Sequence, residues 1–240
     1  METHLAAILI ISVAFFGEAV FGLGGGFISI PLLSLFLGVK DAVTLVLIFQ
    51  FFMGFLLFST WKHMIWKIVL PMTITVIIGT IIGTYMLALI DDSFLNKFLA
   101  LTIFLFLGKM LFFPKISFGE HPKKRWGALT GLIGGWVNGI TGVSSPIFTM
   151  YLAHLAPTKV MMRSALIYLF FVISIIRVGI SIPAGLFTQK ILLLALPVLP
   201  FFFLAIYAGH HVHKRISEKY YQYAIYIILF FSAILLLFKN

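Results

Sequence analysis

Six apolar stretches of this chain are about as long as a helix that crosses a lipid bilayer, and they constrain its fold more than any other feature. Such a helix needs about 20 predominantly apolar residues. The stretches are 42–58, 68–90, 95–113, 160–182, 191–209 and 220–238. With 62% hydrophobic and only 10% charged residues, the chain cannot form a water-soluble globule, which carries about a quarter charged residues. The sequence predicts an all-α polytopic membrane protein.

Two further apolar stretches, 5–37 and 126–155, are too long for one crossing and are interrupted by small residues. The interruptions are at Gly22–Gly26 and at Gly142–Pro146. Each half of either stretch is expected to be too short to cross comfortably at 1.5 Å per residue. We therefore predict two helical hairpins, each with its tip at membrane depth.

The two halves of the chain share one order of elements, a hairpin followed by three spans. Small residues and prolines also recur at a near-constant spacing. The matched pairs are Gly22 with Gly142, Gly24 with Ser144, Gly25 with Ser145, Pro71 with Pro197 and Gly83 with Gly209. Chance alignment of an apolar chain of low complexity is the alternative. The order of elements favours two repeats, 1–113 and 126–240, joined by a basic linker, 114–125.

The formal net charge of +10 indicates topology rather than nucleic-acid binding, because the basic residues lie in short loops. Lysine and arginine mark the cytoplasmic side. Placing the linker 114–125 and the basic segment 210–219 inside puts Asp91, Asp92, the loop 183–188 and both termini outside. The other residues placed inside are Lys62, His63, Lys67, Lys159 and Arg163.

This orientation requires each hairpin to enter and leave the membrane on the same side. The first hairpin then opens outward and the second inward, so that each half makes an odd number of passes. An odd number of passes makes the two repeats inverted. Inverted repeats with broken helices at the midplane are a recurrent architecture of secondary transporters.

The hairpin tips are candidate binding sites for a small anion. Non-helical backbone at membrane depth is tolerated where it lines a cavity, and the N-terminus of each second leg presents free N–H groups. Ser145 is expected at the N-cap and Pro146 at the first helical position, with Gly25 and Gly26 matching them in the first tip. The candidate binding residues of the tips are Gly22, Gly24, Gly25, Gly26, Thr141, Gly142, Ser144, Ser145 and Pro146.

Other glycines favour helix packing over binding. Gly127, Gly131, Gly135 and Gly139 recur every four residues, and Gly79 and Gly83 form a second such pair. Small residues at this spacing let two helices approach closely in a membrane.

One acidic residue, Glu18, falls inside a predicted membrane segment, one helical turn before Gly22. Its counterpart in the second half is Asn138. Ionisable residues inside the membrane point to function, and burial favours a neutral carboxyl that can carry a proton. A position near the membrane surface, or a hydrogen bond to a neighbouring helix, is the alternative.

Two further polar residues lie within spans, Arg177 and Gln50. Arg177 is the best side chain for attracting an anion, with snorkelling to the outer surface as the alternative. Gln50 either faces a cavity or bonds to a neighbouring helix. Both are candidate substrate-binding residues.

The sequence gives little support for an enzyme, a cofactor or a metal. The pattern G-x-G-x-x-G fails at Phe27, and no strand precedes it. His210, His211 and His213 stand in a basic loop with Glu218 as the one carboxylate nearby. A metal-binding protein or membrane enzyme built on these histidines is the weakest hypothesis. The expected partners are a small anion and the lipid bilayer, not nucleic acid.

At these residues the chain resembles the sulfite exporter TauE/SafE family of prokaryotic membrane transporters. The similarity lies in Gly22–Phe27 with Pro31, in 131–146, in 163–185 and in 196–237. It implies export of a sulfur-containing anion, such as sulfite or a small organosulfonate, across a prokaryotic plasma membrane. The second tip departs from the family, which usually has a further glycine before the proline, and its serines are expected to alter the anion preference. An anion channel and a transporter of small carboxylates remain alternatives.

Overall fold

The regular elements of the protein are helices throughout residues 2–22, 24–112, 124–153, 155–212 and 229–238, which the computed structural model describes. The first half contains α1 (Glu2–Phe21), α2 (Gly25–Leu37), α3 (Val39–Leu56), α4 (Trp66–Leu89) and α5 (Asp92–Phe112). The second half contains α6 (Lys124–Thr141), α7 (Ser145–Leu152), α8 (Lys159–Ser181), α9 (Gln189–Ala195), α10 (Leu199–Val212) and α11 (229–237). Short 3-10 helices cover Phe58–His63 and Leu196–Val198.

Five helical segments of the described chain are long and apolar enough to cross a membrane. They are Thr3–Phe21, Val39–Leu56, Trp66–Leu89, Lys159–Ser181 and Gln189–Val212. The last of these runs through α9, a 3-10 turn at Pro197 and α10. The prediction of an all-α polytopic membrane protein is therefore confirmed. Most of the predicted linker 114–125, and residues 220–228 of the predicted span 220–238, lie outside the described residues.

Both interrupted stretches contain the expected helix break, but their first legs are longer than predicted. α1 has 20 residues and α6 has 18, whereas α2 has 13 and α7 has 8. The expectation that each half is too short to cross is wrong for α1, which spans about 30 Å at 1.5 Å per residue. The reason is that α1 begins at Glu2 and α6 at Lys124, before the predicted apolar stretches, while glycines with positive φ, Gly22 and Gly142, end both helices at the predicted interruptions.

The predicted packing role of the glycine ladder is seen between α4 and α6. A Cβ at Gly139 would lie 2.7 Å from the Cα of Gly83, and one at Gly135 would lie 3.0 Å from the amide nitrogen of Thr80. Gly79 meets the backbone of α6 in the same way, and Gly127 instead faces Tyr151. These glycines let two helix backbones touch, which is the dominant packing device between membrane helices.

A second packing interface joins α1 to α10 and α3. Phe15, Phe49 and Phe202 are fully buried, with ring centroids 5.2 Å apart for Phe15–Phe202 and 5.0 Å for Phe49–Phe202. Gly209 of α10 packs against Phe16 and Ala19 of α1. This aromatic cluster holds the first helix break against the rest of the protein.

The loops are grouped at two ends. At one end, Lys40 donates to the carbonyl of Ala88 at 3.5 Å and Lys190 pairs with Asp41 at 2.7 Å. At the other end, Lys62, His63, Arg163 and His210 surround one pocket. Each group contains loops that the charge pattern assigns to one side of the membrane.

Candidate functional site

The two first legs end in the same way, each at a glycine with positive φ. Gly22 has a φ of 78° and Gly142 a φ of 70°, values that favour glycine because it lacks a Cβ. The amide of Gly22 donates to the carbonyl of Glu18 and the amide of Gly142 to that of Asn138, both at 2.7 Å. Glu18 and Asn138, the residues matched from sequence, therefore stand at the same position relative to their breaks.

The second legs start one residue earlier than predicted. Ser144, not Ser145, is the N-cap of α7, and Gly24, not Gly25, is the N-cap of α2. The carbonyl of Ser144 accepts from the amides of Ile147 and Phe148, at 2.9 and 3.3 Å. Because that carbonyl already takes the first bonds of the helix, the cap falls on Ser144. Its side chain makes no capping bond and accepts from Asn138 instead.

Glu18 is buried beside the start of α2. Its Oε1 accepts from Nε2 of Gln50 on α3 at 2.7 Å. Its Oε2 lies over Gly25, where a Cβ would collide with it. The expected hydrogen bond to a neighbouring helix and the expected cavity position are both present, since Glu18 and Gln50 line one cavity. The bonded pair joins the first break to α3.

Asn138 and Arg177 form the corresponding pair at the second break. Nη1 of Arg177 donates to Oδ1 of Asn138 at 3.4 Å, and Nδ2 of Asn138 donates to Oγ of Ser144 at 2.8 Å. Arg177 is only 4% exposed, and within the described part of the chain its buried Nε and Nη2 have no hydrogen-bond partner. This burial does not fit snorkelling, which keeps the charged head in water.

A small cavity of about 10 Å³, called here the central cavity, separates the two pairs. Seven of the residues predicted from sequence line it: Glu18, Gly26, Gln50, Asn138, Gly142, Ser145 and Arg177. Glu18 and Arg177 are its charged lining residues, and neither forms an ion pair within the described part of the chain. The cavity thus holds a carboxyl and an uncompensated guanidinium in a protein interior.

The remaining predicted residues are near the breaks but do not line the cavity. Gly22 packs against Arg163, and Gly24 and Gly25 form the turn under Glu18. Thr141 bonds locally to Val137 and Val143, and Pro146 is buried in the first turn of α7. Ser144 reaches the cavity only through its bond to Asn138.

Sequence patterns did not identify two residues that help to form the site, Ser174 and Arg163. Ser174 lines the cavity one turn before Arg177 on α8, a spacing that the sequence already shows. Arg163, expected at the inner membrane surface, is 5% exposed, and its Nε donates to the carbonyl of Ala19 at 2.9 Å. It therefore holds the last turn of α1, a contact between distant parts of the chain that no local pattern indicates.

The comparison with known families matches almost the whole chain. The sequence model of the sulfite exporter TauE/SafE family matches residues 7–236. The chain belongs to this family. No curated protein sequence and no solved structure matches the chain.

The TauE/SafE match includes both helix breaks and all the residues that line the central cavity. The family is one of membrane transporters, so membership makes transport the class of function of this multi-pass protein and is consistent with its not being an enzyme. Its description names sulfite, a small oxyanion, as the exported substrate of the family.

Proposed function

We propose that this TauE/SafE protein is a secondary transporter that exports a small sulfur-containing anion, such as sulfite or an organosulfonate, from a prokaryotic cell by alternating access. The anion binds between the two breaks when the central cavity, which has the space of about one water molecule in this structure, widens during alternating access. The observation that carries the proposal is the guanidinium of Arg177, which is buried at this cavity with two donor nitrogens, Nε and Nη2, that have no partner among the described residues.

Electrostatics favour an anion at Arg177. A buried charge without a counterion is unfavourable in a medium of low dielectric constant. An oxyanion supplies both the opposite charge and acceptor oxygens for Nε and Nη2. Ser145, at the start of α7, and Ser174 add hydroxyl donors on the same cavity, and the helix N-terminus adds its positive end.

Glu18 supports coupling to protons. It faces the same cavity as Arg177, and its hydrogen-bond partner there is the neutral Gln50. An anion and an ionised Glu18 repel each other across a small cavity, whereas an anion and a protonated Glu18 do not. Proton binding and anion binding are then favourably linked, and each increases the affinity for the other.

The pairing of helices supports inverted repeats. In one pair, α1 of the first half packs on α10 of the second half. In the other, α6, the counterpart of α1, packs on α4, the counterpart of α9 and α10. The Glu18–Gln50 pair and the Asn138–Arg177 pair repeat the same arrangement of first and third helices. Repeats related in this way allow one half to rock against the other around a fixed site.

The closed central cavity supports a transporter over a channel. Its volume is about 10 Å³, the space of about one water molecule, and the last turn of α1 with Arg163 separates it from the pocket at the basic end. Saturable counterflow of radiolabelled sulfite in proteoliposomes is expected for the transporter. Unitary currents in planar bilayers without counterflow would instead establish a channel.

Substrate class is tested by thermal unfolding of the purified protein with sulfite, sulfate, thiosulfate, sulfoacetate and simple carboxylates. A ligand of the folded state raises the apparent melting temperature by mass action. We expect sulfite or sulfoacetate to give the largest shift. A larger shift with simple carboxylates would replace the sulfur anion by a carboxylate as substrate.

The charge pattern supports an orientation with the linker 114–125 in the cytoplasm and both termini outside. Because the chain has no cysteine, single cysteines can report it directly. A membrane-impermeant maleimide applied to intact cells should label Lys190→Cys and leave Lys62→Cys unlabelled until the cells are lysed. The reverse pattern would invert the assignment.

A further inference from the structure

Two neighbouring depressions outside the central cavity have complementary chemistry. The first, called here the basic pocket, has a volume of about 470 Å³ and includes Lys62, His63, Arg163 and His210 in its lining. The second, called here the apolar groove, measures about 410 Å³ and is lined mainly by Leu56, Leu57, Phe203, Leu204, Ile206 and Tyr207. Ser59 and His210 belong to both, so the two are continuous.

The basic pocket suits a phosphate group. No acidic residue is among the described residues that line it, and the first turn of α8 enters it through Thr158, Val160 and Met161. The N–H groups and the dipole of a helix N-terminus favour an anion. The guanidinium of Arg163 is fixed at the pocket by its bonds to the carbonyl of Ala19, which places a positive charge beside the exposed Lys62.

The apolar groove suits an acyl chain. Leu204 is 66% and Tyr207 67% exposed, so this face of α10 meets the hydrocarbon of the membrane. Exposed apolar side chains are ordinary on a membrane helix. A concave apolar site that opens into a cationic pocket is not, because it offers one amphipathic molecule a place for each of its parts.

We propose that the basic pocket and the apolar groove together bind an anionic glycerophospholipid, with its phosphate at Lys62 and Arg163 and one acyl chain along Leu204 and Phe203. Basic pockets between membrane helices on the cytoplasmic side bind anionic headgroups. The position fits that rule, since the charge pattern assigns Lys62 to the cytoplasmic side. The proposal does not depend on what the central cavity transports.

The test measures thermal unfolding of the detergent-purified full chain with three probes: dioctanoyl-phosphatidylglycerol, dioctanoyl-phosphatidylcholine and sn-glycerol 3-phosphate. We expect a saturable rise in melting temperature with phosphatidylglycerol and little or none with the others. An equal rise with phosphatidylcholine would show unspecific lipid binding and overturn the proposal. An equal rise with glycerol phosphate would make the pocket a site for free anions and overturn it as well.

Four variants separate the two parts of the site. Lys62→Gln should weaken apparent binding of phosphatidylglycerol about fivefold, whereas Lys97→Gln, an exposed lysine on α5, should leave it unchanged. Leu204→Trp fills the apolar groove without adding a polar group and should also weaken binding. Leu193→Trp is its control, because Leu193 is 55% exposed but lies outside the groove. Unchanged affinity in both Lys62→Gln and Leu204→Trp would refute the site.

Discussion

The two helix breaks end their first legs with the same backbone geometry and differ in their side chains. Both end the first leg at a glycine of positive φ whose amide bonds to the carbonyl four residues earlier. At the first break that earlier residue is Glu18, whose carboxyl lies over the start of α2. At the second it is Asn138, whose carboxamide joins Ser144 to Arg177. The backbone therefore builds the breaks, and the side chains decide what each one attracts.

The difference gives the two breaks opposite electrostatics. A carboxyl at the N-terminus of α2 satisfies the positive end of that helix from within the chain. The N-terminus of α7 receives no side-chain cap, and the guanidinium of Arg177 adds to its positive potential. An external anion is therefore stabilised most at the second break. The first break supplies the carboxyl that binds and releases a proton.

Replacing the two positive-φ glycines by alanine tests the shared backbone and should give the largest effect. A Cβ at Gly22 would lie 2.8 Å from the Cα of Arg163, whereas one at Gly142 would meet the flexible end of Ile30. Gly22→Ala should lower the free energy of unfolding by about 3 kcal/mol or more and Gly142→Ala by about 1–2 kcal/mol. Thermal unfolding in detergent measures both. Equal losses would contradict the closer packing at Gly22.

Asn138→Asp gives the second break the acidic character of the first. The new carboxylate would lie next to Nη1 of Arg177 and neutralise it. We expect about 30-fold weaker binding of sulfite, the equivalent of about 2 kcal/mol. Titration of thermal shifts measures the affinity, with Asn96→Asp on α5 as the control for a new buried carboxylate away from the cavity. Unchanged sulfite affinity in Asn138→Asp would show that Arg177 does not bind the anion.

Glu18→Gln removes the proton-responsive group of the first break. Methanesulfonate is the better probe here, because its charge stays constant with pH while sulfite itself titrates. In the wild type, raising the pH ionises Glu18, which then repels the anion, so affinity should fall by up to about tenfold. In Glu18→Gln the affinity should stay high at every pH, because glutamine remains neutral like the protonated acid.

In proteoliposomes, the transport of methanesulfonate by Glu18→Gln should no longer depend on pH. The melting temperature of the variant shows whether it still folds. Arg177 is the other charged residue of the central cavity, and arginine keeps its charge over this range. A pH dependence that persists in Glu18→Gln would remove this residue from the coupling mechanism.

Ser174→Ala should give the smallest effect. Its hydroxyl donates to the carbonyl of Phe171 at 2.7 Å and faces the central cavity. The hydroxyl has one hydrogen and must give up the bond to Phe171 to donate to the anion, so its net contribution is small. Its loss should weaken binding about fivefold. Ser164→Ala, whose hydroxyl bonds to Val160 in the same way but outside the cavity, should leave binding unchanged. A loss in Ser164→Ala as large as that in Ser174→Ala would indicate a general effect on α8.

Sequence patterns were sufficient to predict where the two helices break, but not which side chains on other helices bond to the residues at the breaks. Glycine clusters and the lone acid Glu18 stand out against an apolar background, so both tips were found to within one residue. The bonds of Glu18 to Gln50 and of Arg177 to Asn138 join separate helices, and such contacts depend on packing that no local spacing encodes. The same holds for Arg163, which reaches Ala19 across the fold. α1 is longer than predicted because it begins at Glu2, before the apolar stretch, while its break stays at Gly22.

The most direct test of the central claim is calorimetric binding of sulfite to the wild type, to Arg177→Gln and to Lys97→Gln. Arg177 offers the anion two donor nitrogens without a partner among the described residues, and hydrogen bonds to charged groups are worth about 1.5–3 kcal/mol each. We predict a loss of about 100-fold in Arg177→Gln, with Arg177→Lys between it and the wild type, and no loss in Lys97→Gln. Sulfite affinity that is unchanged in a folded Arg177→Gln protein would contradict the account.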